Sequence, residues 1–313
     1  MLTSGELRLV SLLPSATEMA CALGLIEQLH GITHCCDYPP GIRGIPQVVH
    51  GNLPTHELSA SELDTRVSTA LNRGESLYRL DEELLDQLAP THILTQDLCQ
   101  VCAASGTEVA RALSTLRDQP QVLFMSPHSL NDIQENLLDL GRATGRLEEA
   151  EHQIASWQSR LHAIASRMST VSHPPRVFCA EWVNPIYCSG HWIPEMVEIA
   201  GGIDALGRKG ADSVRVDWEA VRATEPEVIV LMPCGYDADQ AQRHAAPLWK
   251  LSGWSELSAV RNRRVFAVDG GYFSRPGPRV IDGTELLAHL FHPELSPWHG
   301  PADAFVRVQL EEP

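Results

Sequence analysis

RLEEAEHQIASWQSRLHAIASRM, residues 146–168, decides how the rest of the chain is read. Ile154, Trp157, Leu161 and Ile164 follow i, i+3, i+7, i+10 spacing, which lays one apolar stripe along a long helix. The other faces of that helix are largely polar or charged. His173-Pro174-Pro175 ends it, because proline cannot continue a helix. On both sides, short β-rich runs alternate with helical patterns. The runs are Leu7–Leu13, Leu29–Thr33, His92–Thr95 and Gln121–Met125 before the helix, then Arg176–Cys179, Val228–Met232 and Arg264–Val268 after it. Helices are expected at Ala16–Leu23, Asp81–Leu88, Thr107–Leu116 and Leu130–Ala143. Strand–helix alternation of this kind predicts an α/β fold with mostly parallel sheets.

The two flanks repeat the same order of elements. LRLVSLLPSATEMACALGL (7–25) and RVFCAEWVNPIYCSGHWIPEMVEIAGG (176–202) each place a strand, a loop with proline, then a helix ending at glycine. LDEELLDQLAPTHILTQ (80–96) parallels VDWEAVRATEPEVIVLM (216–232), and QVLFM (121–125) parallels RVFAV (264–268). The offsets between these pairs differ, so topology repeats and register does not. The expected organisation is an N-terminal α/β lobe over 1–143, a connecting helix over 144–170 and a C-terminal α/β lobe over 171–313. A length of 313 residues agrees, at roughly 150 residues per domain.

Composition excludes several classes of function. Hydrophobic residues make up 43% and charged residues 20%, which suits globular cores and rules out wholesale disorder. The net charge of −16 repels phosphate backbones, and no basic run or aromatic-interleaved basic stripe offsets it, so no nucleic-acid partner is expected. No apolar stretch approaches the ~18 residues of a membrane span, so the chain is not expected to be membrane-embedded. The opening residues lack a basic region, a long apolar segment and a small-residue cleavage site. As written, the expected location is cytoplasmic with reduced thiols; a periplasmic one requires that a leader was removed.

In open parallel sheets, ligands bind outside the carboxyl ends of the strands. The residues at those ends are Pro14-Ser15-Ala16-Thr17-Glu18, His34-Cys35-Cys36-Asp37-Tyr38, Gln96-Asp97-Leu98-Cys99-Gln100-Val101-Cys102 and Ser126-Pro127-His128. In the second half they are Cys179-Ala180-Glu181-Trp182, Pro233-Cys234-Gly235-Tyr236 and Asp269-Gly270-Gly271-Tyr272. Six of the eight cysteines fall at these places, a distribution that thiols used as small core hydrophobes have no reason to show.

Each feature has a plainer reading beside the functional one. Ser15 with Glu18 reads as a helix-capping box, and the same helix start presents N–H groups to an anionic or amide-bearing ligand. Cys99-x-x-Cys102 reads as a thiol redox pair. With Cys36 and His34 on the neighbouring strand end it also reads as a metal site of three thiolates, with or without one imidazole; otherwise these are reduced thiols lining a cleft. Trp182 and Trp192 are either lobe packing or a platform for a flat ligand. His191 is a metal or axial ligand, or a hydrogen-bonding histidine. The chain contains no G-x-x-x-x-G-K-[ST], G-x-G-x-x-G, G-x-S-x-G or H-E-x-x-H, so nucleotide, serine-hydrolase and zincin chemistry have no support. A binding protein is favoured over an enzyme.

Leu9-Val10-Ser11-Leu12-Leu13-Pro14-Ser15-Ala16-Thr17-Glu18, with the following Cys21–Leu25 segment, resembles the opening of the vitamin B12-type substrate-binding proteins of ABC transporters. Gly31–His34, Gly201-Gly202, Val216-Asp217-Trp218-Glu219, Pro226–Ile229 and Arg275-Pro276-Gly277-Pro278-Arg279 follow in that family's order. His34–Pro39, Asp97–Ala103 and Glu181–Glu195 resemble a leaderless, cysteine-containing subgroup of cobalamin-binding proteins more closely. The resemblance covers nearly the whole chain. It implies a class III, chelatase-like architecture: two Rossmann-like lobes joined by one long helix, with a corrinoid such as cobalamin or another small-molecule metal chelate in the interlobe cleft.

The implied ligand would take hydrogen bonds from the loop of Pro14, Ser15, Ala16 and Thr17 and from the strand end at Gln96 and Asp97. It would lie against Tyr38, Trp182, Trp192 and Tyr272, with Asp37, Glu181 and Arg275 completing the binding set and a thiol or His191 meeting the metal. ABC transporter membrane subunits are the implied partner, engaged through lobe carboxylates for which Glu62, Glu82, Glu83 and Glu219 are the candidates. The alternative is a cytoplasmic metalloprotein or enzyme on the same scaffold, with Cys36, Cys99 and Cys102, and His34, holding zinc or an iron–sulfur cluster.

Overall fold

The computed structural model describes residues 7–53, 58–97, 111–114 and 116–308. The chain divides into two compact units, one of Met1–Leu58, Glu62–Pro127 and Asn131–Ala155, the other of Ser59–Ser61, His128–Leu130 and Ser156–Pro313. The division falls inside the long helix, and a short segment at residues 128–130 belongs to the second unit.

The first unit is built on a six-stranded sheet. Its strands are β1 (Leu9–Ser11), β2 (Leu29–Thr33), β3 (Gln47–Gly51), β4 (Tyr78–Leu80), β5 (His92–Thr95) and β6 (Gln121–Phe124), in the order β4-β3-β2-β1-β5-β6. Every neighbouring pair is parallel except β3 with β4. β1 and β5 are buried at every position, as strands covered on both faces must be. Val10, Leu12, Val48, Leu85 and Ile93 belong to the core cluster beneath them. Gly31 in β2 is needed for close approach: a Cβ there would come within 2.9 Å of Val48 and 3.0 Å of Leu88.

Helices α1 (Pro14–Ala22), α2 (Ala60–Asn72), α3 (Glu82–Leu88) and α4 (Leu130–Thr144) precede α5 (Leu147–Met168). In α5 the expected stripe is buried at Ile154, Trp157 and Ile164, half-buried at Leu161, and extended by Met168.

The second unit's main sheet has the order β10-β7-β12-β13-β14, from β7 (Arg176–Val183), β10 (Ile203–Asp204), β12 (Val228–Leu231), β13 (Val265–Val268) and β14 (Phe305–Arg307). β14 is antiparallel to β13, and β8 (Ile186–Cys188) is antiparallel to β7. β9 (Gly190–His191) and β11 (Arg208–Lys209) form a separate parallel pair. Helices α6 (Ile193–Ile199), α7 (Trp218–Ala223), α8 (Ala238–His244), α9 (Ser258–Arg261) and α10 (Arg279–Phe291) flank the strands.

The expected α/β class with parallel sheets is what the chain adopts, with antiparallel strands at the edges. β2 and β5 match their expected bounds, and α5 lies within one residue of its own. Several expectations need correction. The first strand is shorter than Leu7–Leu13, because α1 starts at Pro14 with Leu13 as its N-cap and no capping side chain. Ser15 therefore sits inside the first turn, and the Ser15–Glu18 capping box does not form. β7 runs on to Val183, so Cys179, Glu181 and Trp182 lie within the strand and not beyond its end. Cys179 is fully buried and leaves the group of strand-end thiols. Helix α2, helix α10 and the small strands around 186–209 had no counterpart in the sequence reading.

Candidate functional site

In the first unit the strand order reverses between β1 and β5: β1 has β2 on one side and β5 on the other. This is a topological switch point, where crossovers leave on opposite faces and the carboxyl ends stay open to a ligand. Leu12 N–H donates to the Leu94 carbonyl at 2.9 Å, which fixes the start of the Pro14–Thr17 loop beside the β5 exit. Ser11 and Thr17 hydroxyls both donate to the Leu13 carbonyl, at 2.8 and 3.1 Å, so the turn into α1 is held by its own side chains. Ser15, Ala16 and Thr17 are buried, with Pro14 half-buried. Gln96 is buried and Asp97 exposed. Ser126 accepts from the Asp97 N–H at 3.1 Å and donates to its carboxylate at 2.6 Å, tying the β5 exit to the β6 exit.

Beyond β2, the Thr17 hydroxyl and Cys36 Sγ are 3.1 Å apart. That hydroxyl already donates to Leu13, so the thiol is the donor. His34 Nδ1 lies 3.1 Å from the Val49 carbonyl, which only accepts; Nδ1 therefore carries the proton, and Nε2 accepts from the Cys35 thiol at 3.3 Å. Cys36 and Thr17 thus meet at the same strand ends as His34, Asp37 and Tyr38. Cys99 and Cys102 lie outside the described residues. Two of the other thiols are poor ligands: burial raises Cys179 well above the usual range, and burial with the Glu18 charge pushes Cys21 up to about 11. Cys234 is exposed beyond β12.

The second unit has its own switch point between β7 and β12, with β10 on the far side of β7. Met232 N–H donates to the Ala180 carbonyl at 2.9 Å there. Glu181 faces the β8–β9 segment, where its carboxylate accepts the Gly190 N–H at 2.7 Å and the Ser213 hydroxyl. Burial nevertheless raises its pKa to about 7, outweighing both hydrogen bonds. The Trp182 indole donates to the Asn184 carbonyl at 3.1 Å and packs 5.5 Å from the Tyr236 ring, leaving it half-buried.

Trp192, expected as a platform, is 6% exposed and donates to the Phe273 carbonyl at 2.8 Å. That hydrogen bond ties the start of α6 to the segment at Phe273. Tyr272 is buried too, with the Arg279 guanidinium 5.6 Å above its ring. Arg275 is half-buried beside it in sequence.

His191 occupies the left-handed region, φ 51°, an uncommon conformation for any residue other than glycine. Its Nε2 lies 3.1 Å from Asp212 Oδ1, and its ring lies 5.5 Å from that of His128. Burial lowers the His191 pKa, opposed by Asp212 and assisted by His128. Neither His128 nor Asp212 was assigned a role from sequence. They are far from His191 along the chain and share no motif with it, so only the fold brings them together.

The sequence profile of periplasmic binding proteins matches residues 9–272. The chain belongs to the periplasmic binding protein family. Among curated relatives of this family member, an uncharacterised ABC transporter substrate-binding lipoprotein of Bacillus subtilis is 24% identical over 92% of this chain and 80% of its own length. The vitamin B12-binding protein of Vibrio cholerae is 25% identical over 90% of this chain and 87% of its own length. The periplasmic heme-binding protein RhuT of Roseiflexus superposes with a TM-score of 0.70 at 22% identity, covering 92% of this chain and 98% of that one, which establishes a shared fold. These relatives support a substrate-binding protein of ABC transporter type. They lend nothing to the zinc or iron–sulfur enzyme alternative or to a cytoplasmic location. No helix among the described residues is long and apolar enough to cross a membrane.

Proposed function

We propose that this periplasmic-binding-protein family member binds a corrinoid, cobalamin or a close analogue, and passes it to the membrane subunits of an ABC transporter. The observation that carries the reading is the similarity to a vitamin B12-binding protein along nine-tenths of the chain. The residues at the two switch points supply chemistry that suits such a ligand. A corrinoid is a large apolar ring fringed with amides, and it wants hydrogen-bond partners around its rim more than charges beneath it. In the first unit, Ser15 and Ala16 present backbone N–H groups at the start of α1, Gln96 an amide, Asp97 and Asp37 carboxylates and Tyr38 a phenol. In the second unit, Trp182 supplies aromatic surface, Tyr272 packs beneath the Arg279 guanidinium, and Glu181 and Arg275 supply polar edges. Trp192 contributes by holding the α6 start in place.

Titrating the purified protein with cobalamin, and following ligand absorbance and co-elution on gel filtration, tests this reading. Saturable one-to-one binding that ferric siderophores and haem fail to displace at equal concentration is the expected result. Absence of binding at high micromolar cobalamin would sink it, and preferential binding of haem would replace the corrinoid with a porphyrin.

A further inference from the structure

We propose that His128, His191 and Asp212 form a binding site for a divalent first-row transition-metal ion, separate from any chelate the protein carries. One nitrogen of each histidine and one carboxylate oxygen all lie within 4.8 Å of one another. Ligand atoms around a tetrahedral ion with bonds of about 2.0–2.1 Å stand roughly 3.4 Å apart. The His191–Asp212 separation of 3.1 Å already meets that spacing. His128 and Asp212 are both exposed, so an incoming ion reaches them from solvent. Two imidazoles and one carboxylate form a ligand set suited to zinc, cobalt, nickel or iron(II), not to calcium or magnesium. Water or an incoming donor completes the coordination.

A histidine hydrogen-bonded to an aspartate is common and needs no metal. The backbone around this pair is what goes further. His191 is held at positive φ by two hydrogen bonds, its N–H to the Ala211 carbonyl at 2.8 Å and the Gly210 N–H to its own carbonyl at 2.9 Å. Gly190 lets the 211–213 segment pack directly on the strand: a Cβ there would overlap the Ser213 backbone nitrogen and stand 2.7 Å from the Ala211 oxygen. The same contacts deliver Asp212 to the His191 ring. His128 arrives on a turn that is anchored separately, through the Leu130 N–H donated to Glu195 on α6 at 2.9 Å. Three separate backbone segments of the second unit thus converge their donor atoms on one point. The strain at His191 is retained where it serves that convergence.

The test uses the full chain, stripped with chelator and titrated with Co²⁺ in the absence of any corrinoid, so its failure leaves the chelate reading untouched. One equivalent of Co²⁺ with weak visible bands and no intense near-ultraviolet thiolate absorption is expected, since the site holds no sulfur. His128→Ala changes an exposed residue and carries the decisive comparison. It should weaken Co²⁺ binding at least tenfold, because even an outer-shell partner of a metal ligand costs about 10–100-fold. Asp212→Asn should do the same, with circular dichroism confirming that both variants are folded. Weakening of less than about tenfold in folded His128→Ala, a spectrum dominated by thiolate bands, or no binding at millimolar Co²⁺ would each overturn the site.

Discussion

At the scale of single residues, Glu181 sets the pH response. Burial keeps its carboxyl protonated up to about 7, and burial likewise raises Asp204 to about 6 although Ser189, Leu206 and Gly207 all donate to it. The unfolded chain loses these protons near the ordinary carboxylate values, so the folded state binds more protons across the interval. Stability is therefore highest below about pH 3.8 as far as these two groups are concerned, and falls as pH rises from there until it has passed about 6 for Asp204 and about 7 for Glu181. Glu181→Gln keeps an acceptor for the Gly190 N–H and removes its share of that slope. Urea midpoints at pH 5 and pH 8 should differ less in the variant, which should be the more stable at pH 8 by up to about 3 kcal/mol. Gly190→Ala tests the packing that orders the same region. With backbone atoms in the way of its Cβ, it should destabilise by about 1–3 kcal/mol in thermal melts. The strand-end positions of Thr17, Cys36 and Gln96 were legible because apolar runs end abruptly at polar residues. The His128–His191–Asp212 group was not, since no periodicity links three loops.

Among elements, the legible helix is the one with two different faces. α5 announces itself through a single stripe, and the stripe is what the fold buries. α10 is buried over most of its surface, at Val280, Ile281, Leu286, Leu287, Leu290 and Phe291, and keeps Asp282, Glu285 and His289 on one narrow polar face. Its link to α5 is electrostatic: Arg160 forks onto Glu285 at 2.9 and 2.7 Å and reaches Asp282 at 2.5 Å. Arg160→Ala removes the cation from between two carboxylates. It should cost about 1 kcal/mol, less at high salt, since the groups are about a third exposed. Arg160→Lys should recover only part of that, because an ammonium cannot fork onto Glu285. Within α5, Ile164→Ala removes a fully buried side chain and should cost about 2–5 kcal/mol by chemical denaturation.

For the molecule as a whole, the consequence of the proposed function is thermodynamic linkage. Cobalamin at a hundredfold excess over its dissociation constant should stabilise the folded chain by about 2.7 kcal/mol, while an equal concentration of free dimethylbenzimidazole should not; differential scanning calorimetry reads both. The net charge of −16 adds no information about the fold. The amino-acid sequence by itself determined the α/β class, the long helix over 147–168 and the polar character of the residues at the strand ends. Each follows from local periodicity and from abrupt changes of polarity, which a linear reading contains. Only the tertiary structure decided which strand neighbours which, and so where the switch points at β1/β5 and β7/β12 fall. It also decided that Trp192 is buried and that Cys179 is core. It alone brought His128 and Asp212 to His191. These are outcomes of non-local backbone pairing, in which segments far apart in the chain meet through hydrogen bonds that no local spacing encodes.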